Sequence, residues 1–185
     1  MSSGYSKESH ARTLSDPSEV ERVSSLAAAL LDGSAHLNLD WIRRHEWVAV
    51  PIECGGQIDP AVAERLSSFL QTVGRLRLFA VTTEFELPGP HYYEVPARAR
   101  ELFAFGMIHP QAHMILFPED GSFAYLSTAN DYHVAAGSPR FVEHVLGTDI
   151  ASARAEFEDF VSTGSLERFR RFLQEVSKRY SATGA

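Results

Sequence analysis

From Ser18 onward, apolar residues recur at three- and four-residue spacing (Val20, Val23, Leu26, Ala27, Leu30 and Leu31). This predicts an amphipathic helix that opens on Glu19 and Glu21 and stops at Gly33. A second helix is predicted from Pro60 to about Val73, with Val62, Leu66, Phe69, Leu70 and Val73 on one face. Asp59 and Pro60 supply its N-cap and a proline at the first helical position, and Gly74 ends it. Between the two, Asp40 to Arg44 suits a short helical turn, and Glu46 to Ile52, EWVAVPI, reads as a strand. Its internal Pro51 marks that strand as an edge or a terminus, because proline donates no ladder hydrogen bond. Leu76 to Phe85 returns as a strand, so residues 46–85 form a strand, helix, strand unit. If both strands lie in one sheet, such a unit predicts a right-handed crossover between parallel strands.

The clearest block is AHMILFPEDGSFAYLSTANDYHVAAGSPRFVEHVLG, residues 112–147. Met114 to Phe117 and Phe123 to Leu126 are apolar runs joined by the turn Pro118-Glu119-Asp120-Gly121, and Thr128 to Asp131 turns the chain into a third strand, Tyr132 to Ala136. Ser138 and Pro139 then cap and open a helix that stops at Gly147. Two further helices are expected, from Asp149 to about Phe160 and from Ser165, as cap, to about Tyr180. Leu166, Phe169, Phe172, Leu173, Val176 and Tyr180 form the apolar face of the last one. Residues 86–96, ELPGPHYYEVP, describe a loop beside a short strand, and Ala97 to Met107 fits either helix or strand.

Residues 1–17 are serine-rich without apolar periodicity and are expected to be a mobile tail, as are residues 181–185. Residues 18–180 then make one domain, the default for a chain of 185 residues. The composition, 44% hydrophobic and 22% charged, is that of a globular core and not of a disordered chain. The expected fold is α/β in the α+β sense: a sandwich with a mixed sheet of about five or six strands, an antiparallel meander in the second half, and helices at both ends that pack on one face.

The net charge of −7 argues against a nucleic-acid surface and favours a basic or neutral partner. A single cysteine, Cys54, and the absence of an apolar leader or a membrane-length apolar run suggest a cytoplasmic protein. No GxSxG, HExxH, GxGxxG or P-loop lysine is present. Cys54 follows no nucleophile signature and reads as a small buried hydrophobe, and no cofactor or metal is expected. His109 and His113 have helical ligand spacing, but Pro110 interrupts it; Glu84 and Glu86 at a strand end suit either acid/base chemistry or a solvated edge.

Eight carboxylates lie between residues 119 and 159 against Arg140 and Arg154, and Glu119, Asp120, Asp131 and Glu143 are the candidate binding surface. The leading expectation is therefore a non-catalytic protein-binding module, such as an inhibitor, immunity protein or accessory subunit. A homodimer is open, and nucleic acid and membrane are not expected as partners. The alternative is an enzyme or a small-ligand or metal-binding domain, with a pocket near residues 86–96 lined by His91, Tyr92, Tyr93, Glu94, His113 and His133.

Overall fold

The computed structural model describes residues 10–55, 57–86, 88–109, 112–164 and 166–184. Its elements run β1 (Arg12–Thr13), α1 (Pro17–Leu30), α2 (Leu39–Arg44), β2 (Val48–Glu53), α3 (Pro60–Thr72), β3 (Arg77–Thr82), β4 (Tyr92–Pro96) and α4 (Ala99–Ile108). They continue with β5 (Met114–Phe117), β6 (Ala124–Ser127), β7 (Tyr132–Gly137), α5 (Pro139–Leu146), α6 (Ile150–Asp159), a π-helical turn at Phe160–Gly164, and α7 (Glu167–Ser181).

The strands form one seven-stranded sheet in the order β1-β4-β3-β5-β6-β7-β2. Every neighbouring pair is antiparallel. The α+β class, the β5-β6-β7 meander and the terminal helices are as expected, whereas the mixed sheet of five or six strands is corrected. The seventh strand is β1, inside the expected tail; β4 is the short strand expected beside the proline-rich loop. The crossover exists in direction only: alternation along the strand order makes β2 and β3 parallel in sense, but β7, β6 and β5 lie between them. The pattern pointed to a parallel pair because a strand, a helix and a strand follow one another along the chain, and nothing local shows that three later strands insert between the first and the second.

Helices cover both faces. On one, Val62, Leu66 and Leu70 of α3, Leu102 and Phe105 of α4, and Phe141, Val142 and Val145 of α5 pack on Val50, Leu78, Ala80, Met114, Leu116, Tyr125 and Ala135. On the other, Val23, Ala27 and Leu30 of α1, Ile42 of α2, and Leu173, Val176 and Tyr180 of α7 pack on Ala49, Phe79, Val81, Ile115, Phe117, Leu126 and Val134. The first and last long helices thus share a face. Helix α6 divides its side chains, with Ala153 in the first core and Phe157 in the second.

The capping chemistry is local. The Asp16, Asp59, Ser138 and Asp149 side chains accept backbone N–H bonds at the starts of α1, α3, α5 and α6, with Pro17, Pro60 and Pro139 at the first turn of three of them. The expected cap Ser165 lies outside the described residues, and Leu166 precedes α7 without a side-chain cap.

Parts of both expected tails, residues 10–17 and 181–184, take part in the fold. His10 donates its backbone N–H to Glu101 at 2.8 Å, Arg12 and Thr13 pair with β4, and Leu14 is buried. At the other end Thr183 is buried against β2. Residues 1–9 and Ala185 lie outside the described residues.

Pro51 does lie in an edge strand, since among the described residues β2 pairs only with β7. The outward N–H of Ala49 donates to the Thr183 hydroxyl at 2.9 Å, and that oxygen lies 3.0 Å from the Ala49 carbonyl. One side chain thus stands in for a neighbouring strand. Arg154 of α6 holds this arrangement from outside, donating to the Thr183 carbonyl at 2.7 Å.

Candidate functional site

Antiparallel alternation sorts the candidate side chains by the end of the sheet they reach. The ends of β2, β6 and β3 and the starts of β7, β5 and β4 share one end, which carries Cys54, Thr83, Glu84, His91, His113 and Asp131, with His133 one residue inside β7. Glu119 and Asp120 lie in the β5–β6 turn at the opposite end. Glu119 pairs with Arg22 at 2.7 Å, and Asp120 pairs with Arg75. Glu143 is exposed on α5. Asp131 is exposed at a left-handed φ of 61° that a short polar side chain tolerates. The four acidic candidates therefore do not share one face.

The six residues of the alternative pocket are also divided. Tyr92 and Tyr93 point to opposite sides of β4, as consecutive strand residues must. The Tyr92 hydroxyl lies 3.3 Å from that of Ser24 on α1, whereas Tyr93 packs on Phe105 of α4 and donates to the Pro90 carbonyl at 2.6 Å. Glu94 is taken by Arg12 and Arg77, at 3.0 and 2.8 Å. His91 bonds the Thr82 hydroxyl at 2.8 Å and meets the ring of Phe85 edge to face.

His113 accepts the Ala129 N–H on Nδ1 at 3.2 Å, which leaves Nε2 as the protonated nitrogen, turned towards Glu84 at 3.9 Å. His133 is sealed in the core, Nδ1 2.8 Å from the Tyr125 hydroxyl and Nε2 2.9 Å from that of Ser127. Burial lowers its pKa to about 3, so the ring is neutral, and burial holds the Tyr125 hydroxyl well above its usual range. Among the described residues no group of three or more His, Cys, Asp or Glu is placed to hold a metal ion. The histidines share an end of the sheet without facing a common space.

A concavity lies beside them, over the end of β2. A cleft of about 630 Å³ opens between the loop from β2 to α3, helix α4 and the α5–α6 corner. Ile52, Ile58, Val62, Phe103, Leu146 and Phe157 give it an apolar floor, and Glu53, Asp59 and Glu156 stand around it with Cys54, Arg65 and Thr148. Glu53, Asp59 and Glu156 are exposed.

The sequence builds this cleft by close backbone approaches. Ile58 is buried against Gly106 of α4, where a Cβ would come within 3.3 Å of the Ile58 nitrogen. Arg65 crosses under Gly147, whose φ of +75° ends α5 and where a Cβ would meet the Arg65 side chain at 3.1 Å. Arg65 Nε donates to the Val145 carbonyl at 2.6 Å. Cys54 donates its thiol hydrogen to the Gln57 carbonyl, and burial raises its pKa, so it lines the wall as a protonated thiol.

Sequence reasoning singled out Cys54 and the Asp59 cap in this loop and counted Glu156 among the eight carboxylates of residues 119–159, but named neither Glu53 nor Arg65. Glu53, Arg65 and Glu156 line one cleft only through the packing of α3 and α6 around β2, for which no local pattern exists. Compared with known proteins, the chain matches no family model, no curated relative and no solved structure. No helix among the described residues is long and apolar enough to cross a membrane.

Proposed function

We propose that this chain is a non-catalytic binding module that receives a basic segment of another protein in the cleft over β2. The observation that carries this reading is the pairing of an apolar floor with a rim of Glu53, Asp59 and Glu156. A lysine or arginine matches both parts, since its methylene stem packs on apolar surface while its charged head stays at the wet rim. A chain of net charge −7 also steers a cationic partner towards contact before any specific bond forms. An inhibitor, an immunity protein or an accessory subunit would act in this way, and a cytoplasmic setting suits its single thiol. The binding surface moves, in this reading, from Glu119, Asp120, Asp131 and Glu143 to the cleft carboxylates, because Arg22 and Arg75 already engage the first two.

A second reading is favoured by the size of the cleft, which falls within the roughly 300–1,000 Å³ of small-molecule sites: a free organic cation as the ligand. The double variant E53K/E156K tests both, because the two side chains are exposed. Short lysine- and arginine-bearing peptides and a free alkyl diamine are titrated against the parent and the variant. Peptide binding weakened about tenfold in the variant at low salt supports the protein-binding module. Binding of the diamine alone moves the conclusion to the small cation, and peptide binding that the variant leaves unchanged removes the cleft from the account.

A further inference from the structure

We propose that the start of α7, with the residue before it, forms a second interaction surface that takes an acidic, apolar-anchored segment of a partner protein. This stands independently of the cleft. Among the described residues, Leu166 is 60% exposed and Phe169 38% exposed, a pair three residues apart that the core leaves uncovered. The Arg168 guanidinium lies 4.7 Å from the centroid of the Phe169 ring. The Arg171 side chain is 91% exposed, and its neighbour Glu175, 3.5 Å away, is itself largely in water, so that pair holds the guanidinium weakly.

Residues 166–180 carry five cationic side chains against two carboxylates, a local reversal of sign in an acidic chain. Arginine beside exposed aromatic and aliphatic surface is the composition of interface anchors. The comparison that singles out this patch is the other exposed apolar pair near arginines, Val73 and Leu76. There Arg75 and Arg77 are already engaged by Asp120 and Glu94. On α7, Arg168 has no carboxylate partner among the described residues, so its charge remains available to an incoming acid. The occupant suited to this surface carries Asp or Glu to meet Arg168 and Arg171, and a leucine or aromatic side chain to cover Leu166 and Phe169.

The test is an unbiased selection of displayed random peptides, about twelve residues long, on the full chain, with selected peptides then synthesised and titrated. The proposal expects one enriched class rich in Asp and Glu with Leu, Phe or Trp. Its affinity should fall about tenfold in R168E/R171E and severalfold on raising salt from about 50 to about 500 mM. R168E/R171E changes only exposed side chains, and an unchanged thermal unfolding curve checks its fold; F169S, which removes the anchor, should give a similar loss. Enrichment without an acidic class, or acidic peptides that bind R168E/R171E as well as the parent, overturns the proposal. So does self-association that R168E/R171E abolishes, which would make the occupant a second copy, or binding to anionic phospholipid vesicles in place of the peptides. The cleft reading has a separate readout in the same selection, a basic class lost in E53K/E156K, so each can fail alone.

Discussion

At the β1 edge of the sheet, Arg12 spans Glu19 and Glu94 at 3.1 and 3.0 Å, and His10 meets Glu101 through both its backbone and its ring, the ring nitrogen at 3.0 Å. At the β2 edge, a neutral hydroxyl from Thr183 takes the outward groups of Ala49, helices α6 and α7 pack alongside, and His133 lies neutral in the next strand. The first edge is closed by charged groups, Arg12 half in water and Glu101 buried, and the second by a buried neutral hydroxyl that Arg154 holds from outside. Surface ion pairs weaken with salt and with protonation, whereas buried neutral bonds fail only when a partner is removed or a buried group is forced to charge. The candidate cleft is built on the second edge. A binding site gains from walls that are ordered before the ligand arrives, and this is the edge that supplies them.

The comparison breaks most sharply with pH. His133 has a folded pKa of about 3, below the roughly 6.5 of an exposed histidine. Below pH 6.5 the unfolded chain therefore binds a proton that the folded core refuses, and stability falls as pH falls. The expected loss is about 3 kcal/mol between pH 7 and pH 4. Denaturant titrations across that range measure it, and H133Q should flatten the slope because no ring is left to titrate. An equal slope in H133Q would show that other groups set the acid sensitivity.

Thr183→Val is expected to cost about 2 kcal/mol, since it keeps the shape of the side chain and leaves the buried Ala49 N–H and carbonyl without their partner. Amide exchange at Ala49 should accelerate together with the loss of global stability, and T183S should restore both. A protected Ala49 amide in T183V would mean that α6 alone closes the edge.

The helices and turns around these edges are legible in the sequence because their signals are local: Asp59-Pro60, Ser138-Pro139 and Gly147 each act within one turn of the chain. The edges themselves are not. Thr183 reaches Ala49 across 134 residues, and a two-residue strand such as β1 carries no periodicity to read. Pro51 was the exception, because the chemistry of proline marks an edge wherever it occurs. The candidate site divides in the same way. Cys54 and Asp59 could be picked out from a glycine-rich loop and a cap, but the meeting of Arg65, Glu53 and Glu156 depends on which strands separate β2 from β3. The histidines were misleading for a related reason: the topology brings them to one end of the sheet, and the two-residue period of strands then turns them to different surroundings.

A smaller effect is expected at the other edge. Burial pushes the Glu101 carboxyl up, and the hydrogen bonds from His10 together with nearby Arg100 outweigh it, leaving its pKa below the ordinary value. A depressed carboxylate contributes above its unfolded pKa and stops contributing as pH falls through its folded one. The β1 contact should therefore persist while His133 is already destabilising, and loosen only as pH falls below the ordinary carboxylate range. E101Q removes the charge and should cost about 1 kcal/mol at neutral pH, most of it local, because His10 is largely exposed. Exchange at the Leu14 amide, which bonds the Tyr92 carbonyl at 2.9 Å, reports that local opening.

The smallest effect belongs to Arg12→Ala, and its value lies in its salt dependence. The Arg12 side chain is half exposed and serves two carboxylates on different elements, Glu19 on α1 and Glu94 on β4. Its removal at low salt should raise exchange at the Leu14 amide without moving the global unfolding midpoint beyond scatter. Raising salt to about 500 mM should speed Leu14 exchange in the parent towards that of R12A, because screening at that strength weakens the same interaction in the intact protein. The Ala49 amide should respond to neither treatment. If Ala49 exchange rises with salt as Leu14 does, the two edges open as one cooperative unit, and the cleft on β2 inherits the softness of the β1 side.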